Sequence, residues 1–297
     1  MLVIVPAISA LLPWPLAWRW LRSWAKCGWG PFAEAANIAL PVAQQCLSIA
    51  NPDDFLKRMR LLWLMDCRDL YTSMLRRSRT RPARYVQEIG KWPRTQAFVA
   101  MGFHYAIGHD VLCSLAAARR DFTFLSGHWR REDYPDHPVR YWYGRLRIRD
   151  VARIGRRPVA YRPGVRSALE CTLRENAVVV ALVDVPSRLA PRGRRDVTLL
   201  DHRLSLPSGV IELAQETGAP VVPYWVEFDE RMYRRRVCIG EPIASNDVDA
   251  ALAKIAEILD QRIRAAPYAW MLWPELPEWA AKTTNRINSD ETDPQTL

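Results

Sequence analysis

Two histidines and a carboxylate stand within seven residues of one another in Gly102-Phe103-His104-Tyr105-Ala106-Ile107-Gly108-His109-Asp110. Histidine titrates closest to neutrality, so it can accept or return a proton at pH 7. A carboxylate on its second ring nitrogen fixes the tautomer and stabilises the imidazolium that forms. Spacing decides how such a pair could meet. On one helix His104 and His109 would lie about 140° apart, and His104 and Asp110 about 240°, so neither pair shares a face. His104 must therefore occupy a strand-to-helix turn, with Asp110 at the start of the following helix. Gly108 makes that turn easy. A catalytic His104 is the sharper reading of these residue types. Blander roles suit the same residues: His104 packed between Phe103 and Tyr105, and Asp110 capping its helix. A metal-dependent hydrolase using His104, His109 and Asp110 is a further alternative, although no other ligand is evident.

A turn of this kind needs a strand before it and a helix after it. AFVAMGF at 97–103 reads as a strand and 110–119 as a helix. FTFL at 122–125 and PVAY at 158–161 are further strands. GVRSALECTLREN at 164–176 is helical and leads into AVVVALVD at 177–184, the clearest buried strand. GVIELAQETG at 209–218 is a helix closed by Gly218, and 220–228 and 234–240 are strands. Residues 247–265 form an amphipathic helix with Val248, Leu252, Ile255, Leu259 and Ile263 on one side. Upstream, 32–50 and 53–77 are helical. The alternation predicts an α/β fold: a mixed, largely parallel central sheet flanked by helices, after an N-terminal helical, membrane-anchoring segment. Ligands of open α/β sheets gather at the carboxyl ends of strands. The His104 turn and Asp184 both fall at such ends.

Residues 1–18 carry no charged side chain, and Arg19, Arg22 and Lys26 follow them. A secretory signal has its positive charge before the apolar run, not after it. Eighteen residues is the lower end for a spanning helix, and Pro6, Pro13 and Pro15 interrupt it. Trp14, Trp18, Trp20, Trp24 and Trp29 beside arginines suit a membrane interface. The expectation is an anchor over residues 1–30, either a short spanning helix or a segment lying in the interface. A helix packed on the domain is the alternative. Residues 283–297 lack an apolar pattern and are expected to be a disordered tail.

With 49% hydrophobic and 25% charged residues over 297 positions, the chain is neither disordered nor fibrous. Its six cysteines are irregularly spaced, with no zinc pattern, which favours free thiols in a reducing compartment. The net charge is +10, and residues 130–166 alone hold 11 Arg against 4 acids. That excess suits acidic headgroups, an anionic lipid surface or an acidic protein. No nucleic-acid module is recognisable, and the tryptophans cluster at the apolar termini rather than among the arginines, which argues against nucleic acid. Arg162 and Arg188 flank the best candidate segments and, with Asp184, form the expected substrate-binding set.

The order of these pieces resembles the lysophospholipid-acyltransferase superfamily, in particular its bacterial lipid A (late) acyltransferase branch. The resemblance spans roughly residues 15–280. Its pieces are ANIALP, a helix containing Asp69-Leu70-Tyr71, the strand ending in the His104 turn, YRPGVRSALECTLRENAVVVALVDVP, LPSGVIELAQETGAPVVPYW and WMLWPELPEW. The family motif, His-x4-acid, demands an acid at 109, where this chain has His109, with Asp110 one place later. A turn holding one extra residue keeps Asp110 in the family role, whereas His109 in the slot would make an altered pair. The resemblance implies an acyltransferase domain over residues 31–282, with His104 as general base and Asp110 orienting its ring. It would move a fatty acyl group from a thioester of acyl carrier protein or coenzyme A to a hydroxyl of a lipid or glycolipid, lipid A-like acceptor. No metal, further cofactor or covalent nucleophile is implied. The implied location is the cytoplasmic face of a bacterial inner membrane. A non-catalytic lipid-binding relative is the alternative that the shifted acid suggests.

Overall fold

The computed structural model describes residues 4–28, 31–76, 86–162, 164–229, 234–277 and 279. The apolar runs form strands β1 (Val86–Ile89), β2 (Phe98–Gly102), β3 (Phe122–Ser126), β4 (Ala160–Tyr161) and β5 (Val178–Leu182). Strands β6 (Arg194–Leu199), β7 (His202–Pro207), β8 (Val221–Asp229) and β9 (Arg234–Ile239) follow. Seven of them make one sheet in the order β1-β9-β8-β2-β5-β3-β4, while β6 and β7 pair separately as an antiparallel hairpin. Within the large sheet only the β8–β9 pair is antiparallel. The predicted mixed, largely parallel sheet is therefore present. Its central strands are covered on both faces, which is why FVAMG and VVVAL read as unbroken apolar runs rather than alternating ones.

Nine helices complete the described residues: α1 (Ile4–Leu11), α2 (Trp14–Ala25), α3 (Pro31–Cys46), α4 (Pro52–Arg76), α5 (His109–Ala117), α6 (Pro138–Gly155), α7 (Arg166–Arg174), α8 (Gly209–Thr217) and α9 (Val248–Ala265). Neighbouring residues of β3 show how the layers lie. Phe122 packs against Gly155 of α6, while Thr123 shares a 2.9 Å hydrogen bond with Thr172 of α7. Successive strand residues point to opposite faces, so α6 and α7 cover opposite sides. Helices α5 and α6 pack together, as do α7 and α8.

The N-terminal apolar segment forms α1 and α2, which both pack on α4. Val5, Trp14, Ala17, Trp18 and Leu21 are buried there. Among the described residues no helix is long and apolar enough to cross a membrane. Helix α6, strand β1 and the β6–β7 hairpin were not foreseen from the sequence. The expected tail at 283–297 and Trp29 lie outside the described residues.

Candidate active site

Strands β2 and β5 are parallel neighbours, with Phe98 opposite Val178 and Gly102 opposite Leu182. Carrying that register two residues past the last pair sets His104 against Asp184. The chain continues the ladder this far, since the Val183 amide donates to the Gly102 carbonyl at 3.0 Å. Asp184 is fully buried, and His104 Nδ1 lies 3.0 Å from its Oδ1. The His104 backbone N–H reaches both carboxylate oxygens, at 2.9 and 2.8 Å. The Trp270 indole N–H donates to Oδ2 at 3.0 Å. Because a carboxylate only accepts, the neutral ring carries its proton on Nδ1, leaving Nε2 as the basic nitrogen. The His104 side chain keeps 37% of its surface, so a substrate can approach it.

Local backbone geometry makes the turn possible. Ala106 takes a left-handed φ of 54°, and its N–H is held by the Ala269 carbonyl at 2.8 Å. The Met271 N–H donates to the His104 carbonyl, also at 2.8 Å. Gly102 admits the ring of Tyr224: a Cβ there would lie 2.3 Å from it. A larger residue there, two positions before the histidine, would have to displace that ring.

Burial lowers the His104 pKa, but the charge and hydrogen bonds of Asp184 outweigh it, so the net shift is upward; Arg162 opposes them. Arg162 follows β4, the third strand end on this edge, and its backbone N–H donates to Ser126 at 3.0 Å. Burial lowers the Arg162 pKa. Its guanidinium has no hydrogen-bond or ion-pair partner among the described residues. Strand ends thus bring His104, Asp184 and Arg162 together. Arg188 forms an ion pair with Glu275 at 2.6 Å.

Asp110 is a correction to the sequence reading. It does not reach His104; it is fully buried on the inner side of α5 and accepts from Arg235 of β9 at 2.8 Å. Arg235 also pairs with Asp69 of α4, and the Trp14 ring lies under both Arg235 and Arg68, 5.3 and 5.0 Å from their guanidinium carbons. Burial lowers the Arg235 pKa, but Asp110 and Asp69 outweigh it and raise it above the usual arginine value. Asp110 stands in the first turn of α5, where the helix dipole favours negative charge. It therefore faces the domain interior while His104, ahead of the helix, faces the sheet edge. His109 turns elsewhere again. Its Nε2 lies 3.0 Å from Asp150 of α6 and its Nδ1 3.5 Å from Cys113 Sγ. His104, His109 and Asp110 thus have three different partners, and no three His, Cys, Asp or Glu side chains among the described residues could together hold a metal ion.

Sequence reasoning placed Asp184 in substrate binding and missed both its bond to His104 and the role of Trp270. Only its position at the end of the best buried strand hinted at the first. Two clefts, of about 400 and 490 Å³, lie beside Gln96 and Gly218 and beside Trp225 and Cys238, and neither includes His104. No protein-family model matches the chain, and no curated protein matches it.

Proposed function

We propose that the chain is a membrane-associated acyltransferase that moves a fatty acyl group from an acyl thioester to a hydroxyl of a lipid or glycolipid acceptor. The observation that carries this reading is the His104–Asp184 pair at the carboxyl edge of the parallel strands, with Nε2 left free. An alcohol is a poor nucleophile at pH 7. His104 Nε2 would take the hydroxyl proton as the oxygen attacks the thioester carbonyl carbon, while Asp184 stabilises the imidazolium. Collapse of the tetrahedral intermediate breaks the C–S bond, and the imidazolium returns its proton to the departing thiolate. The unpartnered Arg162 is suited to the negative charge of the intermediate or of an acidic headgroup. Because Asp184 supplies the carboxylate, the shifted position of Asp110 no longer argues for a non-catalytic relative.

The membrane part is supported by the outer face of α1 and α2. Ile4, Ile8 and Leu11 fall on one side of α1, and Leu16 on α2; all four are exposed. Arg19 and Arg22 share the outer face of α2 with Leu16 and have no ion-pair partner among the described residues. An apolar stripe edged with cations suits the surface of an anionic bilayer. The location proposed with this reading is the cytoplasmic face of a bacterial inner membrane, with acyl carrier protein or coenzyme A as the thioester carrier.

The test is thiol release from acyl-carrier-protein and acyl-coenzyme A donors by the full chain, with glycolipid acceptors in mixed micelles. Release should depend on the acceptor, and His104→Ala should cost roughly 100- to 10,000-fold. Undiminished release by His104→Ala would sink the reading.

A further inference from the structure

We propose that Trp270 is the positioning residue of the His104–Asp184 pair: its indole N–H holds the carboxylate in line with the imidazole and tempers its pull on the Nδ1 proton. A carboxylate can swing about its Cβ–Cγ bond, and one hydrogen bond to a histidine does not stop it. Here the Trp270 indole holds Oδ2 at 3.0 Å, while the His104 backbone N–H is shared between Oδ2 at 2.8 Å and Oδ1 at 2.9 Å, leaving Oδ1 toward the ring. Trp270 is itself immobile. It has no exposed surface, and it stands edge-on to Trp273 with ring centres 5.0 Å apart. Its chain neighbours are tied to the histidine turn from both sides, Ala269 to Ala106 and Met271 to His104. One segment therefore sets the positions of the indole and of the turn it serves. Trp273 provides the contrast. It is equally buried, but its indole donates to the Pro267 carbonyl at 2.8 Å.

The charged and titratable groups around the pair are few. Asp184 comes from the end of β5, Arg162 from the end of β4 and Tyr224 from β8, with Arg194 beside Arg162. All remain when Trp270 is changed, so any new titration of His104 reports the lost N–H. A donor shared with a carboxylate weakens what that carboxylate offers its other partners. Removing it should strengthen the hold of Asp184 on Nδ1–H and favour the imidazolium.

The inference rests on the general-base reading only for its effect on rate. Its experiment needs no substrate, so a failure to transfer acyl groups would leave it intact. The full chain, labelled with ¹⁵N at histidine and tryptophan, is titrated by NMR, with His104 assigned by loss of its signals in His104→Gln. In Trp270→Phe the His104 midpoint should rise by about half a unit or more, and in Trp273→Phe it should stay at the wild-type value. A midpoint in Trp270→Phe that is unchanged or lower would overturn the proposal, as would equal shifts in both variants. If Trp270→Phe fails to fold, the wild-type chain still carries the test. One of its thirteen indole N–H signals should move with pH at the His104 midpoint and cease to move in His104→Gln. The absence of any such signal would overturn the proposal.

Discussion

His104 can act as a base only while its ring is neutral, and Asp184 makes the imidazolium easier to form. The acid limb of kcat/KM should therefore lie above the ordinary histidine value of about 6.5, with activity rising through it as pH increases. Stability runs the other way. A group whose pKa is raised by folding stabilises the folded state fully below its unfolded value, and this contribution is lost as pH rises through the folded one. The difference in urea unfolding free energy between wild type and His104→Gln should accordingly shrink from pH 6 upward. Asp184→Asn removes the orienting acceptor and should lower kcat by roughly 1,000- to 10,000-fold. Asp110→Asn should leave the acid limb where it is, because Asp110 serves Arg235 rather than His104. Coincident pH profiles for Asp184→Asn and wild type would remove Asp184 from the mechanism.

Helices α2, α4 and α5 meet strand β9 at one buried arginine. Arg235 neutralises Asp69 and Asp110, and its guanidinium lies over Trp14. Arg235→Ala would take from two buried carboxylates the cation they share, although Arg68 stays 3.9 Å from Asp69, a loss of about 3–5 kcal/mol by chemical denaturation. A second junction joins α5 to α6. Burial raises the Asp150 pKa, but hydrogen bonds from His109 and Arg153 outweigh it and leave it below the ordinary carboxylate range. Asp150 therefore stabilises the fold above about pH 4, and this contribution is lost as pH falls through its lowered folded value. Acid unfolding of Asp150→Asn should show a shallower pH dependence than that of wild type.

The same elements explain what could be read in advance. Strands β2 and β5, α8 with its left-handed Gly218, and α9 opened by Asp247 announce themselves through local pattern and caps. Helix α6 does not. It docks by Arg147 on Asp66 and by Gly144 under Trp129, and its buried apolar residues, Val151 and Ile154, stand among arginines that mask them in the sequence. The β6–β7 hairpin turns on Leu200 and Asp201, both at positive φ, where asparagine and glycine would have signalled a turn. The first half of the candidate pair was visible because a turn histidine follows directly from a strand. Its partner was not, because 80 residues separate them and only the adjacency of β2 and β5 brings them together.

At the scale of the whole molecule, the outer face of α1 and α2 should hold the chain on anionic vesicles and release it from zwitterionic ones. Each surface arginine contributes about 1 kcal/mol there, so Arg19→Gln with Arg22→Gln should weaken binding roughly 30-fold. Leu11→Ser, which adds no charge, should do so without the same salt dependence. Co-flotation with phosphatidylglycerol vesicles measures both, and equal binding to neutral vesicles would point to another occupant of this face. The clamp of residues 269–271 on the histidine turn has a temporal consequence. Synthesis runs from the amino end, so the base and its carboxylate are both made well before the segment that steadies them. A chain still emerging from the ribosome holds every acid and base of the site but not their arrangement. Competence for chemistry should therefore arrive in a single late step, when the last tryptophans dock, and nascent or prematurely stopped chains should be silent toward thioesters they already have the residues to attack.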